Sequence, residues 1–151
     1  MRRRKSWRGE GVAVFCGTII LLNPAYAFDS DRTFSGPVSA HVDRVIDGDT
    51  FEASAAIWLG QQLRVRVRIA GIDAPELRAR CDSERSRAEA ARAYLATRIE
   101  GGEVKLMDVH DDKYGGRVDA RVADARGDIA AQMIHSGLAR VYNGGHREGW
   151  C

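Results

Sequence analysis

The sequence predicts a mostly β domain of the α+β class: a five-stranded barrel of the OB type with two or more helices. Three observations predict it. The chain reads as three strands, a helix, two strands and a second helix. Gln62–Ile72 alternates strictly, with Val65, Val67 and Ile69 on one face and Arg64, Arg66 and Arg68 on the other. Such a period of two marks a half-buried strand. Ser83–Glu100 then changes period, with Ala88, Ala91, Leu95 and Ile99 three or four residues apart, as an amphipathic helix requires. Five strands with inserted helices suit a small closed barrel. An open α+β sheet has the same element order, and neither architecture dictates a function.

The first 27 residues precede this domain. MRRRKSWRGE is basic, VAVFCGTIILL is apolar, and the stretch ends in Ala-Tyr-Ala. A charged start, a short apolar middle and small residues before the cut are the marks of a secretory leader. Cleavage is expected after Ala27. The apolar run is shorter than the roughly 20 residues a membrane span needs. Residues 28–37 read as a flexible lead-in, and 38–151 as one domain able to bury its own core.

Removing the leader changes the charge argument. The whole chain carries +2, but Arg2, Arg3, Arg4, Lys5 and Arg8 against Glu10 give the leader +4, which leaves the remainder at −2. Anion binding must therefore come from local arginine placement rather than from bulk charge. Two cysteines remain after the leader, Cys81 and Cys151. An exported chain meets an oxidising compartment, so a Cys81–Cys151 bridge is expected; two free thiols are the alternative.

The elements follow in order. Val38–Ile46 is the first strand and Thr50–Leu59 the second, with Gly60-Gln61 as the hairpin turn before the third. Asp82 or Ser83 can cap the first helix, and Gly101-Gly102 stops it. Val104–Val109 and Val118–Val122 are strands on either side of the polar turn HDDKYGG. Asp128–Ser136 is the second helix, and Leu138–Tyr142 adds a short extended piece.

Between the first two strands lies IDGDTF. A tight turn explains Asp-Gly on its own, since Asp bonds its own backbone and Gly tolerates positive φ. A carboxylate held for a metal is the other reading, and Asp47 is the residue best assigned to the turn. The stretch is no EF-hand, because the twelfth position from Asp47 is Trp58. Arg64 and Arg66 read as a solvated strand face. His110, Asp111 and Asp112 read as a polar turn rather than a second metal site. His41, His135 and His146 form no metal spacing.

The third strand runs into RIAGIDAPE, and DKYGGR follows later. In that order DGDT, Arg-x4-Asp-x-Pro-Glu and DKYG-G-R resemble the staphylococcal nuclease, or thermonuclease, family from about Val38 to Tyr142. The resemblance implies a calcium site in which Asp49 and Asp73 supply carboxylates and Ala74 its backbone carbonyl. The best-known member has threonine where Ala74 stands, a change that a main-chain ligand survives. Glu76 corresponds to the proposed general base, Arg68 and Arg117 to the catalytic arginines, and Tyr114 with Lys113 to the substrate-binding side of the turn. Gly116 is extra: the best-known member has arginine directly after Tyr-Gly. A one-residue slip inside the strand would flip every side chain, so the extra residue belongs in the turn and Arg117 keeps its role.

The residue types suit that chemistry. Hard carboxylate and carbonyl oxygens suit calcium, forked guanidinium donors suit phosphate, and a free carboxylate can take a proton from water. The resemblance implies a secreted or periplasmic calcium-dependent hydrolase of DNA and/or RNA that leaves 3′-phosphates. It would act as a monomer, with no stable membrane association after leader cleavage. A non-catalytic OB-type nucleic-acid-binding module of the same family is the alternative. A disulfide-stapled scaffold that contacts proteins is a third reading.

Overall fold

A computed structural model describes residues 33–112 and 115–151. The expected leader and the start of the lead-in lie outside the described residues, as do Lys113 and Tyr114. The elements run β1 (Val38–Asp47), β2 (Thr50–Trp58), β3 (Gln61–Ile69), β4 (Ile72–Asp73), α1 (Asp82–Ile99), β5 (Glu103–Asp111), β6 (Val118–Asp124), β7 (Gly127–Asp128), α2 (Ile129–His135) and β8 (Arg140–Val141).

β1, β2 and β3 form an antiparallel meander, and β5 pairs with the free edge of β1. β6 lies antiparallel to β5 and parallel to β3, with Val67 opposite Val118 and Ile69 opposite Ala120. That last pairing closes five strands into a barrel, which removes their free edges. The barrel is the expected closed form, not the open sheet.

Alternation does the core building. Val42, Phe51, Ala53, Val67, Ile69, Val104, Leu106, Ala120 and Val122 turn inward and are buried. α1 lies along β1 and presents Ala91, Leu95 and Ile99 to the same core, with Ala88 buried on the helix beside them. α2 adds Ile129 and Met133. Asp128 starts α2 by accepting the N–H of Ala131 on Oδ1, 2.8 Å away, the usual way to satisfy an orphan first-turn donor. Arg98 at the end of α1 reaches Asp124 on β6 at 3.1 Å, and both side chains are largely buried. Among the described residues no helix is long and apolar enough to cross a membrane.

Four local expectations need correction. The hairpin turn falls at Leu59-Gly60, with β2 ending at Trp58 and Gln61 already in β3, rather than at Gly60-Gln61. The third strand does not run unbroken to Ile72: it ends at Ile69, and the chain turns at Ala70-Gly71, with Gly71 at φ +83°. A side chain rarely adopts that φ, and the turn frees Ile72 and Asp73 to pair with β8 instead. The cap of α1 is Cys81, with no side-chain cap bond, rather than Asp82 or Ser83; the bridge described below fixes the chain at that point. β5 continues through His110 and Asp111, past a register shift after Met107 where Asp108 takes φ 52°, so the polar turn is shorter than expected.

Candidate active site

The site is assembled by strand register. Asp47 ends β1 and Thr50 opens β2. The Asp47 Oδ1 accepts the N–H of Asp49 at 3.2 Å, an aspartate bonding its own turn. Gly48 is there for a different reason from the expected one. Its φ is not positive; instead a Cβ at this position would lie 2.8 Å from the Cβ atoms of both Ala74 and Ala91. The turn is pressed between the segment after β4 and helix α1. Gly48→Ala is therefore expected to destabilise by about 1–3 kcal/mol, the range for overpacking a tight contact, read as a shift in denaturant midpoint at constant m.

Thr50 faces Arg68 across the β2–β3 ladder. That register puts Arg68 beside Asp49, and its Nη1 donates to Asp49 Oδ2. Nη2 donates to the Ile72 carbonyl at 3.0 Å, and the Thr50 hydroxyl donates to Asp49 Oδ1 at 2.8 Å. Asp49 is 5% exposed and Arg68 6%. Arg64 and Arg66, by contrast, are exposed on the same strand face, and Arg66 pairs with Glu52 at 3.3 Å.

Asp73, 3% exposed, sits opposite Arg140 in the β4–β8 pair. Its Oδ2 accepts from Arg140 Nη2 at 3.2 Å and from the indole N–H of Trp150 at 3.0 Å. Its Oδ1 lies 3.4 Å from Arg147 Nε. Ala74 is buried beside Gly48. Glu76 is exposed, and its Oε1 accepts from Arg147 Nη1 at 3.1 Å. Arg117 stands in the turn just before β6, where Gly115 and Gly116 take φ of 70° and 73°. The additional glycine is thus absorbed in the turn, and Ala120 and Val122 keep facing the core. Arg117 pairs with the buried Asp112.

Arg68, Arg117, Asp112, Asp119, Tyr142 and Arg147 line one cleft of about 630 Å³. Asp73, Ala74, Glu76 and Arg147 line a neighbouring cleft of about 530 Å³. The structure therefore brings Asp49 to Arg68, brings Asp73 to Glu76 through Arg147, and faces Arg117 into the same cleft as Arg68. Lys113 and Tyr114 lie outside the described residues. Arg140, Arg147 and Trp150 were not anticipated. Their signal was the bridge: a chain tied from Cys151 to Cys81 must lay its last residues over the Asp-Ala-Pro-Glu stretch.

The electrostatics mark one acidic cluster. Burial first, and then the Asp49 carboxylate, push the Asp47 pKa up from 3.8 to about 6, with Glu76 adding to the rise. Because the folded state holds this proton more tightly than the unfolded chain, ionising Asp47 costs stability. That cost is absent below 3.8 and complete above about 6. Asp47→Asn, whose amide oxygen can still accept the Asp49 N–H, is expected to be more stable than the parent at pH 7 in chelator. The gap should close below about pH 4, and thermal unfolding across that range checks it. Burial lowers the Arg147 pKa, but Asp73, a hydrogen bond to Tyr142, Asp49 and Glu76 together raise it above the ordinary arginine value. Asp119 is raised by burial and by Asp112, against Arg68, His110 and Arg117.

Cys81 and Cys151 form a disulfide, 70 residues apart in sequence. They lie with Glu84 in the one His/Cys/Asp/Glu cluster compact enough for a metal among the described residues. Bridged sulfurs are not thiolates, and only a thiolate ligates, so this is a staple rather than a metal site. Ser83 must likewise be the donor in its 3.2 Å contact with Cys81 Sγ.

Residues 66–149 match the family model described as "Staphylococcal nuclease homologue". The chain belongs to that family. The matched span holds Arg68, Asp73, Ala74, Glu76 and Arg117, and also Arg140 and Arg147. The chain is also similar to "Protein ParB" of Escherichia coli, at 28% identity over 149 residues, covering 93% of this chain and 72% of that protein. In this nuclease homologue the two buried carboxylates of Asp49 and Asp73 are hard oxygen donors of the kind calcium takes. A positive charge already rests against Asp73 Oδ1 and Glu76 Oε1, in the form of the Arg147 guanidinium. The donor types, two carboxylates and a main-chain carbonyl, are ones that fit calcium, and in this structure guanidiniums neutralise both carboxylates.

Proposed function

We propose that this protein is an exported, calcium-dependent nuclease that hydrolyses phosphodiester bonds of DNA and/or RNA to 3′-phosphate and 5′-hydroxyl ends. The observation that carries this reading is the convergence of Asp49, Arg68, Asp73 and Glu76 at one end of the barrel, with Arg117 facing the same cleft as Arg68. Family membership supports it. A leader over residues 1–27 and a bridge suited to an oxidising compartment support export.

Asp49, Asp73 and the Ala74 carbonyl would hold the calcium, which when bound supplies Lewis-acid neutralisation of a phosphate oxygen. Arg68 stands fixed by Asp49 and the Ile72 carbonyl, so its remaining N–H groups need no reorganisation to meet a phosphate oxygen. Arg117, held by Asp112 in the turn before β6, would face the phosphate from the other side of the cleft. Such preset donors count most where charge grows during reaction. Glu76 is exposed to water and takes the proton from the attacking water molecule. Asp47 holds the turn that places Asp49.

One observation favours the non-catalytic binding module instead. Arg140, Trp150 and Arg147 already cover both oxygens of Asp73, which a purely anion-binding surface could tolerate permanently. End-group analysis separates the two. With calcium, a labelled single-stranded oligonucleotide should give fragments that a polymerase extends only after phosphatase treatment. Tight binding with no fragments from folded, bridge-intact protein would leave the binding module.

A further inference from the structure

We propose that Arg147, held over the site by the Cys81–Cys151 bridge, is a third phosphate-binding guanidinium of this protein and sets its affinity for the nucleic-acid strand. The inference rests on the nuclease reading for the identity of the ligand, but not on turnover.

Arg147 lines both clefts and stands between them. On one side are Arg68 and Arg117, on the other Asp73 and Glu76. Its hold on the carboxylates is the loosest of the three arginines. Its contacts run 3.1 Å to Glu76 and 3.4 Å to Asp73, and its side chain is 36% exposed. Arg68 is nearly buried, in a direct pair with Asp49 and a bond to a main-chain carbonyl. Arg117 is less exposed than Arg147 and is paired with a buried aspartate. The Arg147–Glu76 pair is exposed, and an exposed ion pair in high dielectric is worth little. Buried Asp73 keeps Arg140 and Trp150 when Arg147 leaves, so an arriving phosphate takes Arg147 from its partners at the least cost. A cation that takes Asp73 frees the same guanidinium.

The segment that carries Arg147 is built to hold it there. At one end the Tyr142 N–H donates to the Gly71 carbonyl at 2.9 Å, beside the β4–β8 pair. At the other end Cys151 is bonded to Cys81. Between them the Tyr142 hydroxyl donates to the Gly145 carbonyl at 2.9 Å, and the Arg147 guanidinium lies 5.3 Å from the Tyr142 ring centre. Arg140 stacks 4.1 Å from the Trp150 ring. Without the bridge the far end would be retained by non-covalent contacts alone, chiefly those of Arg140, Arg147 and Trp150 with Asp73 and Glu76. The disulfide is thus a positioning device for a binding residue as well as a staple.

The test is a binding titration of a single-stranded oligonucleotide in chelator over a range of salt, with KM and kcat measured in calcium. Arg147→Ala should weaken binding about tenfold and reduce the slope of log K against log salt by about 0.7, the share of one phosphate contact on a single strand. KM should rise more than kcat falls, and Arg147→Lys should restore the slope but only part of the affinity. Cys81→Ser/Cys151→Ser should reproduce the Arg147→Ala loss, and adding Arg147→Ala to it should cost little more, since the two act as one unit. An Arg147→Ala protein with parental melting temperature, affinity and slope would overturn the proposal. So would tighter binding by Arg147→Ala, which would make Arg147 a competing cation. Loss of slope in a protein that never cleaves would keep this inference and remove the nuclease reading. Cleavage with an unchanged slope would do the reverse.

Discussion

Glu76→Gln is expected to lower the rate of phosphodiester cleavage by roughly 10²- to 10⁴-fold, the usual contribution of a positioned general base. The substitution is nearly isosteric. The glutamine Oε1 can still accept from Arg147, which the carboxylate does now at 3.1 Å, so the local arrangement is kept while the proton acceptor is lost. Glu76 is exposed and contributes nothing to the core, so the melting temperature should stay within a few degrees. Single-turnover rates at saturating oligonucleotide isolate the chemical step. A variant that cleaves within a factor of a few of the parent would remove Glu76 from the mechanism. Arg68→Ala is a less clean test of the same step, because it leaves Asp49 buried without its cation, and breaking a buried pair costs about 3–5 kcal/mol by itself.

Replacing both bridge cysteines by serine should cost about 4 kcal/mol of stability, the chain-entropy value for a loop of 70 residues. For a domain of this size that corresponds to a fall of roughly 15 °C in melting temperature. Little native packing offsets it. Glu84 Oε2 lies 3.3 Å from Cys151 Sγ, and a serine hydroxyl there could donate to it, which restores only a local bond. Denaturant unfolding of bridge-intact and double-serine proteins measures the difference. A change below about 1 kcal/mol would show that the bridge spans residues already held together in the unfolded chain.

Most of the fold was legible because local patterns agreed with one another. Val65, Val67 and Ile69 alternate with three arginines, and Ala88, Ala91, Leu95 and Ile99 step around a helix. Neither pattern depends on a distant partner. What the sequence hid depended on tertiary contact. Gly48 reads as a turn glycine, yet its constraint is the closeness of Ala74 and Ala91, residues far away along the chain. Arg68 shares a strand face with exposed Arg64 and Arg66 but is buried, because the turn at Ala70-Gly71 folds β4 back over it. The motifs named Asp49, Asp73 and Glu76, and the structure sets Asp49 against Arg68 and both Asp73 and Glu76 against Arg147. The motifs were silent on Arg140, Arg147 and Trp150, which reach Asp73 only because β8 pairs with β4 and Cys151 is tied to Cys81.

The central claim is that these carboxylates and guanidiniums together hydrolyse a phosphodiester with calcium. A calcium on–off–on cycle with one bridge-intact sample tests it most directly. A single-stranded DNA substrate should be cut when calcium is added, stop being cut on chelation, and be cut again when calcium is restored in excess. Cleavage that continues at full rate in chelator, or an intact substrate throughout, would contradict it.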